Sequence, residues 1–351
     1  MKTHFRLFSF PIILAALVLL ASAGCDNRPT LSFYTWADYI DPDLVTEFEA
    51  KYKCKVEFDY YNSNEAMYAK LRSGKVAYDV VLPTTYTVDI MTQKNMLQKM
   101  DVSKMPNAVK YIAKDITKKL NDENMEFSVP YMLTFPGVGY NVKHVGEAPK
   151  SWDIFADERF KGRMTMLDDK RQVLAAGLMH LGYSINTRDE EELAKARDLV
   201  ISWKKNLAKF GVDDTKQSLK NGEFYIVHAY SGDIMQMTLD DSNIQFAMPG
   251  DHVILLVDHF VIPKNAKNVE LAHAFIDFLC EPSNAARNME FTQYLAPNRE
   301  ALKLLPAELR DKEVFQMSGD ILDKAEMPEY MESVSDQDKY TKAWDDIRAA
   351  K

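Results

Sequence analysis

Short segments rich in β-forming residues alternate with segments of helical periodicity along most of this chain. Asp41 and Ser63 stand where two helices should begin, because short polar side chains cap helix N-termini, and Pro42 suits a first helical turn. The predicted strands are 31–36, 56–61, 79–83, 162–167, 223–230, 244–248 and 253–263, and the predicted helices are 42–52, 63–72, 170–181, 189–210, 269–280, 282–291 and 336–350. A β-α-β-α-β order that restarts after residue 141 predicts an α/β fold with two mostly parallel sheets.

The length and composition of the chain are those of a two-domain globular protein. Its 351 residues are 46% hydrophobic and 27% charged, and a chain of this length exceeds what one simple core usually serves. The sequence contains no internal repeat and no low-complexity linker. We therefore expect two α/β units packed side by side, with a ligand site at the strand ends between them.

The N-terminus has the organisation of an export signal. Two basic residues precede an apolar run at 11–20, and small residues lead from there into Cys25. The run is shorter than the roughly 20 apolar residues of a membrane-spanning helix. The placement of Cys25 is similar to that in a bacterial lipobox, whose cysteine is acylated and becomes the mature N-terminus. Residues 1–24 are therefore the predicted signal peptide and Cys25 the predicted lipidation site, with a plain secretory signal cut near Ala23 as the alternative.

The net charge limits the partners of the chain. The formal charge is −9, and removal of residues 1–24, which carry Lys2 and Arg6 but no acid, changes it to −11. An acidic surface argues against nucleic acid and anionic lipid as partners, so we expect contact with a membrane only through the lipid anchor. An acidic surface also suits a cationic ligand.

The motif content predicts no metal site, no cofactor and no catalytic activity. Cys54 and Cys280 lie in apolar or strand-flanking segments and are predicted to be free thiols, although export would allow a disulfide. Neither belongs to a CxxC pair, and the seven histidines are scattered. The GxSxG and P-loop motifs of common enzymes are absent. Paired acids could serve a glycosidase, but no pair has a supporting spacing.

Aromatic and polar residues are concentrated just beyond the predicted strand ends. They are Trp36, Asp38, Tyr39, Thr84, Tyr86, Asp169, Tyr230 and Asp233, with Tyr294 after a helix. Because ligands of open α/β sheets bind beyond the carboxyl ends of the strands, these side chains are expected to converge. Each also has a structural explanation, since the aromatic residues can belong to the core, and the acids and threonine can cap helices or lie in turns.

Asp258 is the hardest of these acids to explain structurally. It follows the apolar residues 253–257 directly, and a buried carboxylate is costly unless it is paired. Together the acids and aromatic residues suit a diammonium ligand. Carboxylates would make charge-assisted hydrogen bonds to its two ends, and aromatic faces would take up its methylenes and ammonium groups.

Six blocks of sequence, in order along the chain, resemble the periplasmic spermidine/putrescine-binding proteins of polyamine ABC transporters. The blocks are 33–39, 64–71, 78–86, 129–131, 168–173 and 262–268. The resemblance implies a type II periplasmic binding protein fold, in which two α/β lobes joined by crossing strands close on a ligand through a hinge. The implied first lobe is 29–134 plus 257–303, and the implied second lobe is 135–256 plus 304–351.

The resemblance also implies a role for each candidate residue. The implied aromatic walls are Trp36, Tyr39, Tyr86, Tyr230 and Tyr294, the implied ammonium ligands are Asp258 at one end and Asp38, Asp233 and Thr84 at the other, and the implied second-lobe lining is Asp169 and Gln172. Leu256 stands where relatives carry an aromatic residue. Gln172 replaces the glutamate of spermidine-preferring members, and Asp233 matches an acid of putrescine-preferring ones.

These features imply a monomeric periplasmic receptor that binds putrescine in preference to spermidine and delivers it to an ABC permease. Two alternatives remain open. One is a receptor of the same fold for another small solute, and the other is a surface lipoprotein with a signalling or adhesion role.

Overall fold

The computed structural model describes residues 27–211, 215–250, 252–316 and 319–350, so the predicted signal peptide and Cys25 lie outside the described residues. The strands are β1 (Thr30–Thr35), β2 (Lys55–Tyr60), β3 (Val80–Val81), β4 (Ser128–Thr134), β5 (Pro136–Asn141), β6 (Met164–Met166), β7 (Leu207–Phe210), β8 (Ile226–Tyr230), β9 (Ile244–Ala247), β10 (Val253–Ile254), β11 (Leu256–Val261) and β12 (Ala325–Glu326).

The α-helices are interspersed with these strands. They are α1 (Pro42–Tyr52), α2 (Asn64–Arg72), α3 (Thr85–Gln93), α4 (Pro106–Tyr111), α5 (Lys114–Thr117), α6 (Val142–Val145), α7 (Lys170–His180), α8 (Glu190–Lys204), α9 (Thr215–Lys220), α10 (Ser231–Asp240), α11 (Val269–Cys280), α12 (Pro282–Thr292), α13 (Arg299–Leu304), α14 (Ala307–Arg310), α15 (Gly319–Asp323) and α16 (Val334–Ala349). Single 3-10 turns lie at Val102–Lys104, Trp152–Ala156, Glu158–Phe160 and Glu313–Phe315.

The two main sheets share one pattern. The first has the order β2-β1-β3-β11-β4 and the second β7-β6-β8-β5-β9. In the first sheet β1, β2 and β3 are parallel, and β11 runs antiparallel to both of its neighbours. In the second sheet β6 is parallel to β7 and β8, and β5 is the reversed strand. The predicted mostly parallel sheets are confirmed, each with one reversed strand.

The reversed strands come from the places where the chain crosses between the sheets. Strand β4 of the first sheet ends at Thr134, and β5 of the second begins two residues later at Pro136. The chain returns after β9, and β11 then enters the first sheet between β3 and β4. Each sheet therefore depends on a strand supplied by a crossing.

Most predicted helix starts are confirmed in their local chemistry. Asp41 caps α1 by accepting a hydrogen bond from the backbone N–H of Asp43, and Pro42 occupies the first turn. Ser63 caps α2 by accepting from Ala66 N. These caps satisfy N–H groups that a helix leaves without partners, which fixes where each helix begins.

The predicted long helix 189–210 was wrong at its C-terminal end. The helix stops at Lys204, and Leu207–Phe210 forms β7 beside β6. Asn206 donates its side-chain N–H to the carbonyl of Phe155, which holds the chain in a turn at this point. Pairing with β6 supplies backbone hydrogen bonds that helical periodicity alone does not reveal. The predicted strand 253–263 likewise divides into β10 and β11 around Leu255.

Each sheet has its own hydrophobic core. Phe33 and Phe275 pack edge to face in the first lobe, with ring centroids 5.2 Å apart. In the second lobe Trp203 is fully buried. After residue 303 the chain first packs Phe315 into the core cluster of the first sheet and later packs Trp344 into that of the second. The exact residue limits of the lobes remain a prediction.

Cys54 and Cys280 are buried free thiols, which confirms the prediction made from the sequence. None of the described helices is both long enough and apolar enough to cross a membrane.

Candidate functional site

Asp258 lies on β11 with its carboxylate almost fully buried. Tyr39 donates its hydroxyl to Oδ2 of Asp258 at 2.7 Å, and Thr84 donates its hydroxyl to Oδ1 at 2.6 Å. Burial raises the pKa of Asp258 to about 6, and the two hydroxyl donors oppose that rise. Burial dominates because it removes the water that stabilises the charged form, and hydroxyl groups replace that stabilisation only in part.

Thr84 is oriented by a residue that the sequence reasoning did not assign to the site. Asn64, the first residue of α2, donates its side-chain N–H to the Thr84 hydroxyl at 3.0 Å and accepts the Thr84 backbone N–H at 3.1 Å. The Thr84 hydroxyl therefore directs its own proton to Asp258, so Thr84 lies beside Asp258 and not at the opposite end of the site, where the resemblance implied it. Thr84 stands at the N-cap position of α3 but makes no side-chain cap bond, so the capping explanation for it was wrong.

The first lobe supplies aromatic rings around this carboxylate. The Tyr39 ring meets the Tyr294 ring edge to face at 4.9 Å and the Tyr131 ring at 5.6 Å. Tyr131 donates its hydroxyl to the backbone oxygen of Tyr39 at 2.6 Å, which fixes the position of Tyr39. Trp36 packs against Tyr61 with ring centroids 4.4 Å apart, and its buried indole N–H has no partner among the described residues.

Residues of the second lobe form another acidic and aromatic group. Asp169 caps α7 by accepting from Arg171 N and Gln172 N, whereas the sequence had suggested a turn residue at this position. Burial raises the pKa of Asp169, and the nearby carboxylate of Glu65 on α2 of the first lobe adds to the rise. Burial also raises the pKa of Tyr230, with the charge of Asp169 as the next cause.

Tyr86 and Gln172 belong to the same region. Burial is the largest cause of the raised pKa of Tyr86, and the charges of Glu65 and Asp169 are the next causes. This first-lobe tyrosine therefore lies near Asp169 of the second lobe. Gln172 is 4% exposed, and its side-chain oxygen is buried without a hydrogen-bond donor among the described residues. A ligand N–H could satisfy this oxygen.

Tyr294 connects the two groups. Burial raises the pKa of Tyr294 most, and the nearby charge of Asp233 of the second lobe adds to the rise. Asp233 is the third residue of α10, whose N-cap is Tyr230, so Asp233 is not the helix cap that its position suggested. The same tyrosine therefore packs against Tyr39 on one lobe and lies near Asp233 on the other.

Two predicted site residues stand apart from these contacts. Asp38 is exposed in the turn after β1, with a left-handed φ of 54°, and no hydrogen bond reaches it from the described side chains. Leu256 packs in a small apolar cluster with Ile185 and Ile254, against which Tyr230 also packs.

The chemistry of this arrangement suits a cation. Within the described part of the chain, Asp258 receives hydrogen bonds only from hydroxyl groups, so its negative charge is not neutralised by a cationic side chain. Aromatic faces surround it and offer favourable contact to an ammonium group or to methylenes. No group of three or more metal-ligating side chains occurs among the described residues.

Comparison with known proteins identifies the family. A family model described as bacterial extracellular solute-binding protein matches residues 43–346. The chain belongs to this family. The putrescine/cadaverine-binding protein of Pseudomonas aeruginosa is 31% identical over 316 residues, which cover 85% of this chain and 88% of that protein. The spermidine/putrescine-binding periplasmic protein of Escherichia coli is 35% identical over 301 residues, with coverage of 84% and 86%.

Solved structures of such solute-binding proteins confirm the predicted two-lobed fold. The spermidine/putrescine ABC transporter substrate-binding protein PotD of Streptococcus pneumoniae is 31% identical, with a TM-score of 0.83 and coverage of 92% of this chain and 99% of that one. The TpPotD lipoprotein of Treponema pallidum is 35% identical, with a TM-score of 0.81 and coverage of 91% and 99%.

Proposed function

We propose that this protein is a periplasmic receptor that captures polyamines, putrescine in preference to spermidine, and delivers them to an ABC permease. The observation that carries the proposal is Asp258, a buried carboxylate held by two hydroxyl donors and lacking a cationic partner among the described residues. The unfavourable free energy of burying such a charged group is offset when a bound cation completes the site. The names of the relatives described above support the same ligand class.

The two lobes would hold opposite ends of the ligand. Asp258 would bind one ammonium group from the first lobe, while Asp233 and Asp169 of the second lobe would receive the other. Tyr294 and Tyr230 would cover the methylene chain between them. Closure of the lobes would exclude water and strengthen each ion pair, because charges interact more strongly in a medium of low dielectric constant. Capture and release would require no chemical step, so no catalytic residue is assigned.

Attachment through Cys25 is part of the proposal. An acylated N-terminal cysteine would keep a monomeric receptor at a membrane surface, close to the permease that it serves. The lipoprotein named in the Treponema pallidum structure is consistent with this arrangement. An anion receptor of the same fold is disfavoured, because the cleft presents carboxylates.

Calorimetry tests the proposal directly. Purified protein, unfolded and refolded to remove co-purified ligand, would be titrated with putrescine, cadaverine, spermidine and a neutral sugar. We expect binding of putrescine with a micromolar or lower Kd, weaker binding of spermidine and no heat from the sugar. Absence of polyamine binding in this range would contradict the proposed function.

Replacement of Gln172 by glutamate is expected to shift selectivity toward spermidine. The buried side-chain oxygen of Gln172 has no donor in the part of the chain that the structure describes, and a glutamate there would offer a full charge to an additional ammonium group. The ratio of putrescine to spermidine affinity, measured by calorimetry, should fall by about tenfold, which corresponds to one charge-assisted hydrogen bond. Gln217→Glu adds the same charge at an exposed position and serves as the control. An equal change in both variants would refute the selectivity argument.

A further inference from the structure

Gly232 occupies a position where a side chain cannot be accommodated. It is the second residue of α10, and a Cβ atom built on it would lie 2.2 Å from Cδ2 and Cε2 of Tyr294 and 2.5 Å from Cγ. Real Cβ atoms do not approach other heavy atoms this closely. The φ of Gly232 is not in the left-handed region, so the contact with Tyr294, and not the backbone conformation, is what requires glycine here.

The two partners of this contact come from different lobes. Gly232 directly follows Ser231, whose hydroxyl accepts the backbone N–H of Phe135, the residue at which the chain crosses between the sheets. Tyr294 is held on the first lobe, because its neighbour Leu295 accepts the backbone N–H of Leu133 at 2.7 Å. The contact therefore lies beside the hinge and joins the two lobes.

Further contacts extend along the same face of α10. The charge of Asp233 lies close enough to Tyr294 to raise its pKa, and Gln236 donates its side-chain N–H to the backbone oxygen of Thr292 at 2.7 Å. The first turns of α10 thus lie flat against residues 292–294. Because Gly232 is at the centre of this contact, any added atom would separate the helix from the tyrosine ring.

We infer that Gly232 sets how far the two lobes can close, and thereby the affinity for the ligand. This inference rests on the proposed function. A methyl group beside the hinge would stop the rotation of one lobe toward the other before closure is complete. Because the walls of the cleft lie farther from the hinge than residue 232 does, the gap left between them would be larger than the methyl group itself. The Tyr294 ring also packs edge to face against Tyr39, with ring centroids 4.9 Å apart, and this packing restrains its movement. Affinity would fall because the closed, binding-competent state would be less populated.

The test compares Gly232→Ala with wild type. We expect putrescine affinity, measured by calorimetry, to fall by about 10- to 100-fold, in line with the usual penalty for overpacking. Small-angle scattering at saturating putrescine should show a smaller decrease in radius of gyration for the variant. The inference requires that opening of the lobes removes the clash, so the melting temperature of the ligand-free protein should stay within about 2 °C of wild type.

Gly137→Ala is the matched control. A Cβ atom at Gly137 would lie 2.6 Å from the backbone oxygen of Ala247 and 2.5 Å from the Phe246 ring, both inside the second lobe. This variant should melt lower without ligand, since its clash does not depend on closure. Unchanged affinity in Gly232→Ala, or a loss of ligand-free stability like that of Gly137→Ala, would overturn the inference. A wild-type protein that binds no polyamine would instead contradict the proposed function.

Discussion

Asp258→Asn is expected to weaken putrescine binding by at least about 2 kcal/mol, or about 30-fold, in calorimetry. The carboxylate is buried, and its hydrogen-bond partners among the described residues are hydroxyl groups without charge. The ammonium group of the ligand would therefore supply the opposite charge. Asparagine keeps the size of the side chain and removes the charge. Near-normal affinity in this variant would remove Asp258 from the site.

The same substitution should not destabilise the ligand-free protein at neutral pH. The pKa of Asp258 is raised by burial, so the ionised group favours the unfolded state at neutral pH, and its removal relieves that cost. Asp79→Asn is the matched control. Asp79 is also buried, but it accepts backbone N–H groups from Ser32, Lys267 and Asn268. Its replacement should lower the melting temperature and leave the affinity of the folded protein unchanged.

Putrescine affinity is expected to fall as the pH drops below about 6. Both amines of the ligand stay protonated through this range, while Asp258, with its pKa raised to about 6, takes up a proton and loses its charge. For a single group the loss reaches about tenfold at pH 5 and is absent at pH 8. Burial also raises the pKa of Asp169, which should steepen the decline.

A calorimetric series from pH 8 to pH 5 measures this dependence. The Asp258→Asn variant lacks the titrating group and should show a shallower decline than wild type. Equal pH dependence in both proteins would mean that another group controls binding in acid. Circular dichroism at each pH would separate loss of binding from loss of fold.

The sequence was informative where local chemistry decides structure. Caps such as Asp41 and Ser63 begin the helices that they were expected to begin, and alternation of strands and helices predicts two α/β lobes. Asp258 was recognisable as a candidate because a carboxylate directly after an apolar segment is expected to be buried, and burying a charge is costly unless a partner stabilises it. Its burial agrees with that argument, while its role in binding remains a prediction.

Features that depend on distant parts of the chain were not predictable in the same way. Asn64 orients Thr84 across 20 residues of sequence, and an asparagine at a helix start gives no signal of that role. Strand β7 forms because β6 is available to pair with it, although its residues continue a helical pattern. The crossing strands β4 and β5 were not predicted from the sequence, because both are buried throughout and lack the alternation of apolar and polar residues that marks a half-buried strand. Gly232 is explained only by a tyrosine 62 positions later.

The place of β11 in the first sheet has a consequence for biosynthesis. This strand lies between β3 and β4, yet the ribosome makes it only after the whole second sheet. Until residue 261 has emerged, the edges of β3 and β4 remain unpaired and Asp258 has not joined Tyr39 and Thr84. A partly synthesised chain therefore lacks both a complete first sheet and the Asp258 carboxylate, so the first lobe gains its proposed end of the ligand site only when β11 has been added.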